Sequence, residues 1–281
     1  MNSINYCKRD INKRRYRQTV IMPPLADTIA EARRILDTAR AKGIIIRLFG
    51  GLSFYFRCPS AKHRALQRNY VDIDVMAYAR QAKEIRQLFN ELGYTPRERF
   101  NAMQGYKRLI FNDLENGRRV DIFLDVFEMC HKINLKDRLK IDEDTIPLAD
   151  MLATKLQIIE LNEKDAKDII ALLRDYEIGD NDNNMINGSY LAKLCSQDWG
   201  LYKTFMMNLT RIRGILSSID IADKQEIEDR MKVLQEMIEK EPKSLKWRMR
   251  EKIGEKVRWY ELPEPDTAVV DSAIKTNNTI K

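Results

Sequence analysis

The sequence predicts an α/β (α+β) protein, a mixed β-sheet core in the first half followed by a helical half. Three observations carry this. Short apolar runs at Ile44–Phe49, Tyr70–Met76 and 119–127 alternate with helically spaced apolar residues as far as about residue 146. From Pro147 onward only helical spacing remains. At 281 residues the chain can bury a core in one large domain or two modest ones.

Residues 1–23 read as a basic arm, with Lys8, Arg9, Lys13, Arg14, Arg15 and Arg17, ending at Pro23-Pro24. From Leu25 to about Ala41, apolar residues at 25, 29, 32, 35, 36 and 39 fall on one helical face, and Gly43 closes the helix. Ile44–Phe49 is a buried strand, and the Gly50-Gly51 pair turns the chain into one or two helical turns over Leu52–Arg57. Residues 58–69 form a basic connection containing Lys62, His63, Arg64 and Arg68. In the next strand, Tyr70-Val71-Asp72-Ile73-Asp74-Val75-Met76, side chains two apart point the same way. Asp72 and Asp74 therefore share one face, while Val71, Ile73 and Val75 fill the other.

Ile85, Leu88, Phe89 and Leu92 mark a helix that stops at Gly93, and Asn116-Gly117 is a hairpin turn between strands near 106–112 and 119–127. In the helical half, Leu148, Leu152, Leu156 and Ile159 make one apolar stripe, and Ile169, Leu172 and Leu173 another. Asn162, three residues before Asp165, reads as an N-cap. A polar loop over Asp180–Gly188 precedes helices near 190–218 and 224–240. The boundaries expected from these changes are 24–146 for the sheet domain and 147–260 for the helical domain, with a disordered tail over 261–281.

Lys and Arg number 49 against 42 Asp and Glu, a net charge of +7 that suits an anionic partner and equally serves solubility. No run is long and apolar enough for a membrane span, and no apolar stretch follows the basic N-terminus as in a secretory signal. Cys7, Cys58, Cys130 and Cys195 lack CxxC spacing, so a zinc site is not expected, and reduced thiols in the cytoplasm are. Cys130 and His131 are adjacent in sequence, which says nothing about pairing in space.

The acidic strands carry the chemistry. Clustered carboxylates hold hard divalent cations through oxygen, and Asp72 with Asp74 supplies half of such a site for Mg²⁺ or Mn²⁺. A third carboxylate comes from Val120-Asp121-Ile122-Phe123-Leu124-Asp125-Val126, where Asp121 is preferred and Asp125 has the same apolar-acid-apolar setting. Glycine at 50 and 51 lets backbone N–H groups approach a triphosphate, and Ser53 stands where a hydroxyl could donate to a β- or γ-phosphate.

A Gly-Gly turn, an Asp-x-Asp strand and a later acidic strand, in that order, resemble the polymerase-β-like nucleotidyltransferase superfamily. Asp150-Met151-Leu152-Ala153-Thr154-Lys155-Leu156-Gln157, followed by Glu163-Lys164-Asp165-Ala166-Lys167-Asp168, resembles the Lys…Lys-Asp-x-x-Asp motif of AbiEii-type toxins and related stand-alone nucleotidyltransferases. The resemblance covers about Ile44 to Leu173. It implies transfer of a nucleoside monophosphate from NTP to an acceptor hydroxyl, with Asp72, Asp74 and Asp121 catalytic and metal-binding. It further implies nucleotide binding by Gly50, Gly51, Ser53, Lys155, Lys164, Asp165 and Asp168, and a helical domain that closes the cleft. RNA (a tRNA end included), a protein or a small molecule are the acceptors it admits, and a small antitoxin protein is a possible partner. Two departures stand out: Asp72 follows Gly51 by 21 positions, which inserts the basic 58–69 segment, and Leu52 stands where Ser or Thr is common. The rival reading is a nucleic-acid-binding or regulatory protein on a catalytically decayed scaffold of the same kind.

Residues 243–260 interleave seven basic residues with Trp247, Trp259 and Tyr260. That mixture suits RNA, with cations for phosphates and rings for bases; it also suits a basic helix whose tryptophans pack inward.

Overall fold

The structure, a computed structural model, describes residues 23–262. Nearly all of the expected basic arm, 1–23, and of the expected disordered tail, 261–281, lie outside those residues.

Helix α1 (Thr28–Ala41) is capped by Asp27, whose carboxylate accepts from the Ala30 N–H at 2.7 Å. Strand β1 (Ile46–Phe49) follows, then α2 (Gly50–Arg57), β2 (Ile73–Ala77), α3 (Ala82–Glu91), a two-residue β3 (Thr95–Pro96) and α4 (Glu98–Gln104). The hairpin β4 (Arg108–Asp113) and β5 (Arg118–Leu124) turns at Asn116-Gly117, as the sequence predicts, with Gly117 at φ +66°. The strands make one five-stranded sheet in the order β1-β2-β5-β4-β3, in which only β2 and β5 run parallel. Residues 144–146 bond along the outer side of β1, with the Leu48 N–H donating to Asp144 O at 2.9 Å and Ile146 N–H to Leu48 O at 3.0 Å, which covers that edge. A small ribbon, β6 (Val126–Glu128) with β7 (Lys132–Asn134), hangs below β5.

The helical half comprises α5 (Leu148–Leu156), α6 (Glu163–Asp175), the short parallel pair β8 (Ile178–Gly179) and β9 (Ile186–Asn187), α7 (Gly188–Gln197), α8 (Trp199–Ser218), α9 (Lys224–Lys240) and α10 (Leu245–Ile253). Alternation along the strands divides the interior in two. Leu48, Ile73, Val75 and Ile122 pack with α1 and α3 on one face of the sheet. Phe49, Met76 and Phe123 face the other way, and that side is continuous with Phe54 of α2 and the apolar stripes of α5 to α9. Sheet and helices thus share one core on that side.

Several expectations need correction. Strand β2 begins at Ile73, so Asp72 precedes it and Val71, expected inside, is 63% exposed. The β5 strand ends at Leu124, and Asp125 lies at φ +59°, so it does not keep the strand parity that would face it with Asp121. Helix α5 stops at Leu156, leaving Ile159 outside it. The helical pattern near 190–218 is broken at Asp198, whose carboxylate caps α8 by accepting from the Gly200 and Leu201 N–H groups. Cys58, Cys130 and Cys195 are free and buried, and burial raises Cys58 and Cys195 far above ordinary thiols. His131 is buried against Thr204, 2.8 Å from its hydroxyl, and burial lowers its pKa; it belongs to the core.

The two tryptophans of 243–260 are packing residues. Trp247 is 5% exposed and meets Tyr202 edge-on at 5.3 Å. Trp259 meets Trp199 at 6.2 Å and donates from its indole to Thr204 at 3.2 Å. Arg250 lies 4.8 Å over Trp199 and donates to the Gly254 and Val257 carbonyls, and Lys243 donates to those of Ile238 and Glu241. Among the described residues no helix is long and apolar enough to cross a membrane.

Trp247→Ala should therefore lower unfolding free energy by about 3–5 kcal/mol in urea denaturation, as expected for a large ring removed from a packed interior. Parent stability in that variant would leave the ring free for another role.

Candidate active site

Side by side in the parallel register, Asp74 pairs with Asp121, because β2 and β5 align Ile73 with Val120 and Val75 with Ile122. Asp72, one step before β2, lies on the surface and accepts from the Arg119 backbone N–H at 3.3 Å. Burial, then Asp121, then Asp72 push the Asp74 carboxyl up to about 7, while Lys155 and Arg119 pull the other way. Asp121 is 2% exposed and held by two arginines, Arg108 Nη2 and Arg119 Nε, each at 2.9 Å. Asp125 is elsewhere: its carboxylate accepts from the Ala79 N–H at 3.2 Å, at the opposite end of β2.

Gly50 is at φ +61°, and a Cβ there would stand 2.4 Å from Asp74 Oδ2. Both the backbone conformation and the carboxylate require glycine. Gly51 has a separate reason, since a Cβ would stand 1.8 Å from Arg68 Nη2. Arg68 crosses the start of α2 at this point to grip Asp168 with two bonds of 2.9 and 2.8 Å. No side chain caps α2, so its first N–H groups open toward this region. Ser53, expected to reach a phosphate, is fully buried and donates to the Gly50 carbonyl at 2.8 Å. Its hydroxyl is spent on the glycine turn.

Opposite, Asn162 caps α6 as the sequence predicts, accepting from the Asp165 N–H at 3.0 Å. Asp165 and Asp168 lie on the inner face of α6 and bracket Lys155 of α5, at 2.6 and 3.0 Å from Nζ. Burial works to lower the Lys155 pKa, but Asp168 and Asp165 outweigh it and raise it, so the ammonium stays charged. Lys164 is exposed at the rim. Gly50, Gly51, Asp72, Asp74, Lys155, Lys164 and Asp165 line one pocket of about 310 Å³. Arg68 and Asn69, from the basic connection, also line it, and sequence reasoning assigned neither a role. The signal available for them was position alone, a basic insertion between the glycines and the Asp-x-Asp pair.

The donor set suits a hard divalent cation: it is all oxygen, and the like charge crowded around Asp74 is what such an ion relieves. Among the described residues no three ligating groups enclose an ion as they stand. Asp72 and Asp74 have the freer carboxylates, and Asp121 can join only as its arginines turn aside.

A carboxyl whose pKa is raised on folding favours the native state only while protonated, so its ionisation costs stability as pH rises through about 7. In EDTA, Asp74→Asn should melt above the parent at pH 8, and the two curves should converge by about pH 4. Each kcal/mol relieved corresponds to roughly 2–4 °C. A gap that does not change with pH would mean that Asp74 is not crowded. Lys155→Ala leaves two buried carboxylates facing each other and should cost about 3–5 kcal/mol in the same assay.

No family model and no curated protein matches this chain. Among solved structures, the solution structure of the antibiotic-resistance factor ANT(2'')-Ia is similar at 9% identity, over 60% of this chain and 93% of that one, with a TM-score of 0.39. At that level the likeness carries no argument about activity, and the fold rests on the sheet and helices described above.

Proposed function

We propose that the protein is a metal-dependent nucleotidyltransferase, moving a nucleoside monophosphate from NTP to an acceptor hydroxyl. The observation that carries this reading is the pairing of Asp74 with Asp121 beside Asp72, where Asp72 and Asp74 line a pocket that Arg68 and Lys164 also line. The open N–H groups at the start of α2, reached across Gly50 and Gly51, receive phosphate oxygens, and the helix start favours their negative charge. Arg68 and Lys164 add positive charge around the triphosphate. Lys155 acts at one remove: already paired with Asp165 and Asp168, it moderates Asp74 and fixes the pocket wall.

Asp72 and Asp74, joined by Asp121, would hold Mg²⁺ or Mn²⁺, which neutralises the pyrophosphate charge and lowers the pKa of the attacking hydroxyl. The new bond joins the acceptor oxygen to the α-phosphorus, the bond from that phosphorus to the α,β-bridging oxygen breaks, pyrophosphate leaves, and the hydroxyl proton passes to solvent. A decayed scaffold is the weaker reading, because the crowded carboxylates raise the Asp74 pKa at a cost that a binding protein has no use for.

Incubation with each labelled NTP, Mg²⁺ and either cellular RNA, protein extract or small hydroxylated acceptors should transfer label to one of them. Asp74→Asn and Asp121→Asn should each reduce transfer by at least about a hundredfold with the fold retained. Asp125→Asn should leave it near the parent rate. Full transfer by Asp74→Asn at millimolar Mg²⁺ would end the proposal.

A further inference from the structure

Beside the pocket just described lies a second, larger cavity of about 520 Å³. The two share a wall: Arg68 and Asn69 line both. Arg68 is the septum, held in place by its two bonds to Asp168 on one side and lying 4.6 Å over the Tyr70 ring on the other. The second cavity is lined further by Tyr55, Lys62, Gln67 and Tyr70. Tyr55 and Tyr70 meet edge-on at 5.4 Å and form an aromatic wall. The side chains of Gln67 and Asn69 are exposed.

We propose that this cavity is the nucleoside subsite, so that one NTP molecule spans both pockets across Arg68. This rests on the nucleotidyltransferase reading and adds to it where the base sits and what holds it. Three features favour a nucleoside. The cavity volume falls within the usual range for small-molecule sites, about 300–1,000 Å³. Its wall combines the aromatic surface of Tyr55 and Tyr70 with the polar groups of Lys62, Gln67 and Asn69, suited to a flat heterocycle with a polar sugar. Gln67 and Asn69 each present a carbonyl acceptor and an amide donor together, which can meet the adjacent donor and acceptor that every base carries on its Watson–Crick edge. The acceptor then approaches from the open side, past Asp72.

The experiment is calorimetric titration of the whole protein, with Mg²⁺, against ATP, GTP, CTP, UTP and inorganic tripolyphosphate. The parent should bind each NTP at least about tenfold more tightly than tripolyphosphate, roughly the worth of one bidentate base contact. Gln67→Ala should narrow that margin for every NTP while leaving tripolyphosphate affinity unchanged. Tyr55→Leu removes one ring of the aromatic wall and should weaken every NTP but not tripolyphosphate. Tripolyphosphate bound as tightly as NTP by the parent, or an NTP advantage that survives both variants, would overturn the subsite assignment while NTP binding left the enzyme reading standing. A parent that binds neither NTP nor tripolyphosphate would overturn both. Variants that bind NTP as the parent does but need more acceptor for transfer would make this the acceptor cavity instead.

Discussion

Two carboxylates at one register position of a parallel strand pair cannot be left bare, and the architecture around the site answers that constraint. Asp121 is met by Arg108 and Arg119, and Asp74 feels Lys155. Lys155 is itself nearly buried and is tolerated only because Asp165 and Asp168 sit against its ammonium. Asp168 in turn holds Arg68 across Gly51. Charge of alternating sign runs from the sheet through α5 and α6 to the basic connection, and each buried member is stabilised by the next.

That arrangement explains why the helical half shares a core with the sheet. Ion pairs between α5, α6 and the 58–69 segment need fixed distances, and fixed distances need packing. Phe49, Met76 and Phe123 on the sheet, Phe54 on α2 and the inner faces of α5 and α6 supply it as one apolar interior. The two glycines that look like one motif meet two demands. Gly50 yields to a carboxylate on its neighbouring strand, and Gly51 to a guanidinium crossing the helix start.

Much of the site was legible before the fold. The Asp-x-Asp pair, the glycine pair, Lys155 and the Asp165/Asp168 spacing come together around one pocket or in direct contact with it. Ser53 and Asp125 went elsewhere for local reasons: the first hydroxyl found the Gly50 carbonyl, and the second residue took a left-handed backbone after β5 had ended. The basic, aromatic segment 243–260 was ambiguous in sequence, and its rings pack onto Tyr202 and Trp199.

Periodicity is a local property, and so the sequence alone determined where most of the strands and helices lie though not where they end, which side of β2 is apolar beyond Ile73, and that Asn162 opens α6. Register is not local. Which acidic residue of β5 stands beside Asp74 depends on how two distant strands align, and the septum formed by Arg68 depends on α6 arriving with Asp168 in reach. Those were decided only by tertiary structure, because an ion pair joins residues 100 positions apart and leaves no spacing for a sequence to display.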